Sequence, residues 1–169
     1  GNRYGIEEYL DSRGVLHKVT NIDAVRSSHI RIAMVRDPIE RFVSIYRDRI
    51  IKKPIRSKLD ISWEQFVEEF ETIRKVNHDI HNHSLAQIDH LGSDSSLYTH
   101  IFNTGDFNSF ARFVTCDICL AKTYRIHRKK RVHDDIEYPA ITDTQIDIIR
   151  NYYKEDYAVY GDYFGKTNS

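Results

Sequence analysis

The sequence predicts an α/β fold, a largely parallel sheet flanked by helices, and two observations support this prediction. The first is a nearly continuous apolar run over residues 30–35, typical of a strand covered on both faces, which leads directly into a helical pattern. The second is the alternation of further strand and helix patterns along the chain, which is typical of parallel sheets. With 169 residues, of which 40% are hydrophobic, a single domain is expected over residues 1–169.

The first elements are predicted from local signals. Residues 3–13 are predicted as a short helix that ends at Gly14, and residues 15–19 as a short strand. After the central strand, Asp37 is a suitable N-cap, and Pro38 suits the first helical position, where its missing N–H costs nothing. Apolar residues then recur at spacings of three and four, which predicts an amphipathic helix.

The later elements follow the same rules. In chain order they are a helix capped by Ser62, a strand over residues 97–103, a helix over residues 106–114 and a final helix over residues 142–157, capped by Thr142. Ser62 followed by Gln65 is a capping-box pattern. Residues 122–133 contain six Lys or Arg residues and no acidic residue, and are predicted as a flexible basic loop.

The overall charge of the chain does not point to any class of partner. Lys and Arg together number 25, as do Asp and Glu, so the net charge gives no argument for a nucleic-acid or membrane partner. There is no run of about 18 apolar residues and no signal-peptide pattern, so the chain is expected to be soluble as given. An anchor preceding Gly1 is left open.

One stretch of the sequence suits an anion. Arg36 is predicted at the carboxyl end of the central strand, with Arg41 and Ser44 on the first turns of the helix that follows. Ligands of α/β sheets bind outside the carboxyl ends of strands, and helix N-termini favour anions, so a guanidinium and a hydroxyl here suit a phosphate. The alternative is an ordinary capped helix with an arginine in a salt bridge.

The same residues resemble a known family through the pattern Arg36-Asp37-Pro38-x-x-Arg41-x-x-Ser44-x-Tyr46. The pattern is similar to the 3′-phosphate-binding segment of sulfotransferases that use 3′-phosphoadenosine-5′-phosphosulfate (PAPS). It is most similar to the group containing the Golgi carbohydrate sulfotransferases and their bacterial relatives. The resemblance implies that Arg36 and Ser44 contact the 3′-phosphate. Arg41 either assists or forms a surface ion pair.

The resemblance also implies a role for the basic loop, which contains Arg128 and Lys129. In the family, a flexible segment at this place closes over the nucleotide. Two alternatives stay open: the loop is merely solvated, or it holds an anionic polysaccharide acceptor.

Sulfuryl transfer to a hydroxyl needs a base, and two histidines are candidates. In the heparan and dermatan 2-O-sulfotransferases, a histidine at about the position of His17 is the proposed base, which makes His17 the first candidate. His81 is the second, because Asp79-x-His81 followed by Gln87 resembles an Asp-x-His segment of the family. An aspartate near a histidine can orient its ring. For both candidates the alternative is a structural histidine.

Two short patterns resemble metal sites. Cys116 and Cys119 form a lone CxxC, for which two reduced thiols are favoured over half a zinc site or a redox pair. His78, His83 and His90 could bind zinc together with Asp79. Their spacings match no established zinc pattern, so no metal is expected.

The 5′-phosphosulfate end of the donor has no visible partner in the sequence. The family binds it with an N-terminal strand–loop–helix that carries Lys and a loop rich in Gly, Ser and Thr. None of the seven glycines lies in a Lys-x-Gly-x-Thr context, and there is no Walker motif, which argues against a P-loop kinase. The resemblance therefore implies a P-loop-containing sulfotransferase-like fold in which this unit lies upstream of Gly1 or has been lost. The expected function is sulfuryl transfer from PAPS to a hydroxyl of a carbohydrate, and the alternative is a non-catalytic module that binds nucleotides or polyanions.

Overall fold

The computed structural model describes residues 7–10, 16–19, 30–52, 59–113 and 139–165, with side chains from residue 30 onward. These residues form a mixed α/β structure that is mostly helical and contains a small parallel sheet. The predicted α/β class is therefore confirmed.

In chain order the strands are β1 (Glu7–Leu10), β2 (Leu16–Val19), β3 (Ile32–Val35) and β4 (His100–Asn103). The α-helices are α1 (Pro38–Ile45), α2 (Trp63–Glu68), α3 (Phe70–Val76), α4 (His78–Ser84), α5 (Ile88–Leu91), α6 (Phe107–Arg112), α7 (Asp143–Tyr152) and α8 (Lys154–Tyr160). A π-helix, Tyr46–Ile51, continues directly from α1. Single 3₁₀ turns cover Ser95–Leu97 and Gly161–Tyr163.

The described residues divide into two compact units. The strand unit contains the residues up to Arg36, residues 87–113 and those from Val159 onward. The helical unit contains Asp37–Ala86 and residues 139–158. The expectation of a single domain over residues 1–169 stays a prediction.

The first two strands correct one expectation. β1 and β2 pair antiparallel, with Tyr9 opposite His17. The predicted helix over residues 3–13 is therefore wrong over Glu7–Leu10. A short isolated helix is marginal in water, whereas pairing with the predicted strand that follows satisfies the backbone of both segments. Gly14 is as typical of a turn between two strands as of a helix end.

The strand unit also contains the parallel pair. β3 and β4 run side by side, with Ile32 opposite His100 and Val35 opposite Asn103. Both elements were predicted from their apolar runs, and the helix after β4 lies where the sequence predicts it. Phe102 of β4 packs edge-on against Phe110 of α6, at 5.6 Å between ring centroids, which ties the strand to that helix.

The helical unit is organised around an aromatic core. Phe42 of α1 lies 5.7 Å from Trp63, 5.0 Å from Phe66 and 4.5 Å from Phe70, measured between ring centroids. Each such pair contributes about 0.5–1.5 kcal/mol beyond the burial of its surface. This packing fixes the face that α1 turns inward and so leaves its other side for polar residues.

The helix caps are where the sequence predicts them. Asp37 caps α1, Ser62 and Gln65 form a reciprocal capping box on α2, and Thr142 forms another with Gln145 on α7. The final helix differs from expectation, because residues 142–157 contain the whole of α7 and the start of α8, separated at Tyr153.

Candidate functional site

Arg36 stands at the carboxyl end of β3 in the strand unit. Val35, the last residue paired with β4, is fully buried, and its carbonyl accepts a hydrogen bond of 2.8 Å from the Thr104 N–H. Arg36 follows directly and is half-buried. Arg36 therefore starts at the carboxyl end of the sheet, where α/β proteins bind ligands.

The backbone of Arg36 is held by a glutamine distant in sequence. The Gln87 Oε1 accepts a hydrogen bond of 2.8 Å from the Arg36 N–H, and the Gln87 Nε2 donates one of 2.9 Å to the Arg36 carbonyl. The Gln87 side chain is buried, with 7% of its surface exposed. The sequence identifies Gln87 only as part of a family-like segment, and nothing in its neighbourhood signals this contact.

The helix that follows has its N-terminal donors occupied. Asp37 Oδ1 accepts hydrogen bonds from the Ile39 N–H at 2.8 Å and the Glu40 N–H at 3.2 Å. Pro38 has no N–H to offer. An anion at this end of α1 must therefore be bound chiefly by side chains, which modifies the expectation that the helix N-terminus itself attracts a phosphate.

The second oxygen of Asp37 faces a tyrosine of α8. Tyr157 Oη donates to Asp37 Oδ2 at 3.4 Å. Burial, and then the negative charge of Asp37, raise the pKa of Tyr157 to about 12. Tyr157 is therefore neutral over the working range of most enzymes and acts as a hydrogen-bond donor to the cap.

Ser44, on the last turn of α1, is half-buried and already has a partner. Its Oγ donates to Asp48 Oδ2 at 3.3 Å, within the helical unit. A hydroxyl has one proton to donate, so Ser44 can bind a phosphate only by releasing Asp48. Because the bond is long, the release costs little.

Asp48 is kept ionised by two cations. Its Oδ1 lies 3.3 Å from Arg47 Nε and 3.3 Å from Lys52 Nζ. Burial raises the pKa of Asp48, but the charges of Arg47 and Lys52 outweigh it and hold that pKa below its usual value. The i,i+4 spacing from Ser44 is a signal that would have identified this carboxylate in the sequence.

Arg47 and Asp48 belong to the π-helix, and Lys52 is its C-cap. The Lys52 N–H bonds to the Arg47 carbonyl at 2.9 Å, five residues back, which is the π-helical pattern. Arg47 is buried, with 4% of its surface exposed. Wider turns of this kind are frequent at functional sites, and a continuous α-helical periodicity in the sequence gives no warning of them.

Arg41 is turned toward the end of another helix of its unit. Its Nη2 donates to the carbonyls of Leu85 and, at 3.4 Å, His83, at the carboxyl end of α4. Cations at this position neutralise unpaired carbonyls and the helix dipole. Nη1 is buried and has no hydrogen-bond partner among the described residues. Arg41 therefore has a visible structural role in addition to the one expected from the motif.

The aspartate of the Asp79-x-His81 segment pairs with a different histidine. His83 Nδ1 lies 2.8 Å from the Asp79 carbonyl and 3.6 Å from its Oδ1, while Arg49 Nη2 contacts His83 Nε2. Since a carbonyl only accepts, Nδ1 carries the proton and Nε2 accepts from Arg49. Residues two apart on a helix point in different directions, whereas Asp79 and His83 are one turn apart. His81 is half-buried on the same helix.

The family of this chain is shown by its match to a protein-family model. The model of the sulfotransferase family matches residues 10–163, which is most of the chain and includes residues of both units. The chain belongs to the sulfotransferase family. This membership indicates an enzyme that transfers a sulfuryl group, and the mixed α/β structure is consistent with it. Neither the curated proteins nor the solved structures gave a match.

The expected site residues of this sulfotransferase differ in how far the structure describes them. Arg36, Ser44, Arg41 and His81 have the surroundings given above. His17 lies in the middle of β2, where only the backbone is described. Arg128, Lys129 and the rest of the basic loop over residues 122–133 lie outside the described residues, as do Cys116 and Cys119.

Two features are absent from the part of this sulfotransferase that the structure describes. No three side chains of His, Cys, Asp or Glu come together there as metal ligands would. None of the described helices has both the length and the apolar character needed to cross a bilayer.

Proposed function

We propose that this sulfotransferase moves a sulfuryl group from PAPS to a hydroxyl group of a carbohydrate, by in-line transfer with a histidine as base. One observation carries the proposal. In a chain of the sulfotransferase family, the motif arginine, Arg36, directly follows the last paired residue of β3, and its backbone is held in place. The carbohydrate acceptor is inferred from the motif's resemblance to the group of the Golgi carbohydrate sulfotransferases and their bacterial relatives.

Arg36 and Ser44 are proposed to bind the 3′-phosphate of the nucleotide. A guanidinium offers two parallel donors that match two phosphate oxygens, and a serine hydroxyl adds a neutral donor. Ser44 would exchange its long bond to Asp48 for one to the phosphate. Arg41, whose Nη1 has no partner among the described residues, is proposed as an auxiliary cation.

The chemistry then needs one proton transfer. PAPS supplies an activated sulfuryl group. As the acceptor oxygen bonds to sulfur, the bond from sulfur to the 5′-phosphate oxygen breaks, and 3′-phosphoadenosine-5′-phosphate (PAP) leaves. The proton of the acceptor hydroxyl passes to the base, for which His17 is our first assignment and His81 the second.

A second function is favoured by one observation on the sequence. The seven glycines of the chain include none in the Lys-x-Gly-x-Thr context that holds a 5′-phosphosulfate. A module that binds the nucleotide or a polyanion without transferring sulfate would need no such loop.

The two functions are separated by a transfer assay with sulfur-labelled PAPS and desulfated heparan and dermatan chains as acceptors. Transfer by the wild type that is lost in Arg36→Ala supports the enzyme. The matched control is Arg112→Ala, an exposed arginine of α6, which should keep full activity. Binding of PAP without transfer to either chain favours the module. A wild type that transfers no sulfate and binds neither PAP nor a polyanion contradicts both.

A further inference from the structure

The side chain of Gln87 completes the edge of β3 beyond its last paired residue. Successive residues of a strand direct their backbone groups to opposite edges. The Val35 carbonyl bonds to Thr104 after β4, so the N–H and carbonyl of Arg36 face the other edge. Both bond to the Gln87 amide, at 2.8 and 2.9 Å. The amide thus occupies the place of a peptide group in a neighbouring strand.

Gln87 is itself firmly anchored within the strand unit. Its own carbonyl accepts hydrogen bonds from the His90 N–H at 3.0 Å and the Leu91 N–H at 2.8 Å, which starts α5. The buried Tyr98 donates from Oη to the Leu91 carbonyl at 2.9 Å, at the end of that helix. Tyr160 Oη donates to the Gly92 carbonyl at 2.8 Å. The Gln87 amide that bonds to the Arg36 backbone therefore lies at the start of a short helix whose two ends are held by hydrogen bonds.

We propose that Gln87 is a positioning residue for Arg36. By holding both backbone groups, it fixes the direction in which the Arg36 side chain leaves the end of β3. A guanidinium whose starting direction is fixed loses less freedom when it binds a phosphate, so its affinity is higher. This inference rests on the proposed function, because it takes the 3′-phosphate of the nucleotide as the group that Arg36 binds.

The chemistry of the contact requires an amide of this length. One amide offers a donor and an acceptor together, which is what the N–H and carbonyl of one residue need. Methionine has a similar shape and provides neither a good donor nor a good acceptor, so Gln87→Met removes both bonds while keeping the volume. Asparagine keeps the amide and is one methylene shorter, so Gln87→Asn is expected to keep at most one of the two bonds.

The test combines two measurements on the full chain. The first is the hydrogen-exchange rate of the Arg36 amide without nucleotide, followed by NMR, which reports on the contact itself. The second is calorimetric titration with PAP and with adenosine 5′-phosphate, which lacks the 3′-phosphate. In Gln87→Met we expect faster exchange at Arg36 and an affinity for PAP lower by about tenfold, with the affinity for adenosine 5′-phosphate unchanged.

The matched control is Gln145→Met. Gln145 is another glutamine whose side-chain oxygen accepts two hydrogen bonds, from Trp63 Nε1 at 3.0 Å and from the Thr142 N–H at 3.1 Å. This variant should lose thermal stability and keep its affinity for PAP. If both variants lose PAP affinity in proportion to the fall in their melting temperatures, the positioning role is overturned.

The remaining outcomes distinguish this inference from the proposed function. Faster exchange at Arg36 with unchanged PAP affinity overturns the inference and leaves the proposed function standing. A wild type that does not bind PAP overturns the proposed function, and the positioning role with it. If Gln87→Met does not fold, the same measurements are made on Gln87→Asn. A smaller loss of PAP affinity is expected for that variant, again with unchanged affinity for adenosine 5′-phosphate.

Discussion

The hydroxyl of Ser44 and the carboxylate of Asp48, one turn further along the chain, form a hydrogen bond of 3.3 Å. A negative charge therefore stands beside the hydroxyl that we propose as a phosphate ligand. Arg47 and Lys52 compensate that charge, which makes the position compatible with an anion. This arrangement leads to the first two predictions.

Replacing Asp48 with asparagine should tighten the binding of PAP. Removing one like charge beside the proposed phosphate site is expected to raise the affinity about threefold, because two unit charges close together in a water-like medium interact by at most about 1 kcal/mol. Calorimetric titration at low ionic strength measures this effect, and the gain should be smaller in the Ser44→Ala background. Asp143→Asn, an exposed acid of α7, controls for net charge. An equal gain in Asp143→Asn would show that no specific relationship with the phosphate exists.

Replacing Ser44 with alanine should weaken PAP binding and leave stability nearly unchanged. A loss of about tenfold is expected, because a hydrogen bond to a charged group contributes roughly 1.5 kcal/mol or more. The melting temperature should hardly change, since the bond to Asp48 is long. Ser109→Ala is the matched control, as Ser109 Oγ also donates to a carboxylate, Asp106 Oδ2, at 2.5 Å. Unchanged PAP affinity in Ser44→Ala would remove Ser44 from the site.

Replacing His17 with alanine should abolish sulfuryl transfer without changing the affinity for PAP. A general base contributes roughly 100-fold or more to the rate, whereas nucleotide binding does not need it. The labelled-donor assay on His17→Ala, His81→Ala and His83→Ala ranks the candidates. If His17→Ala keeps its activity and His81→Ala loses it, His81 is the base. Activity lost only in His83→Ala would make His83, whose ring lies between Asp79 and Arg49, the base.

Replacing Tyr157 with phenylalanine should reduce the sensitivity of the fold to alkali. The pKa of Tyr157 is raised to about 12 in the folded chain, above the value of about 10 in an unfolded one. Between these values the unfolded state loses its proton first, so the free energy of unfolding falls as the pH rises from about 10 to 12.

Urea denaturation at a series of pH values measures this fall, which should be smaller in Tyr157→Phe than in the wild type. Tyr163→Phe, at an exposed tyrosine, is the control and should behave as the wild type does. Identical pH profiles for all three proteins would contradict a raised pKa at Tyr157 in the folded chain.

The sequence predicts those features that depend on neighbouring residues. The Asp37 cap, the Ser62 and Thr142 capping boxes and the apolar run of β3 each result from side chains within a few positions of one another. The position of Arg36 at a strand end follows from the same local rules.

Other features depend on residues brought together by folding. Gln87 and Arg36 are 51 positions apart, and Arg41 reaches a carbonyl 44 positions away. No period or motif in the sequence encodes such pairs. The strand β1 is an instance of the same problem, because its pairing with β2, and not its own composition, decides between helix and strand.

The central claim is that Arg36 binds the 3′-phosphate of the nucleotide, and its most direct test compares two ligands. The affinities for PAP and for adenosine 5′-phosphate are measured by calorimetry on the wild type, Arg36→Ala and Arg112→Ala. The wild type and Arg112→Ala should prefer PAP by about 100-fold, the effect of two charge-assisted hydrogen bonds. In Arg36→Ala that preference should fall to about tenfold, the contribution expected of Ser44, while the affinity for adenosine 5′-phosphate stays the same. A preference for PAP that stays at about 100-fold in Arg36→Ala, or that is absent in the wild type, would contradict the claim.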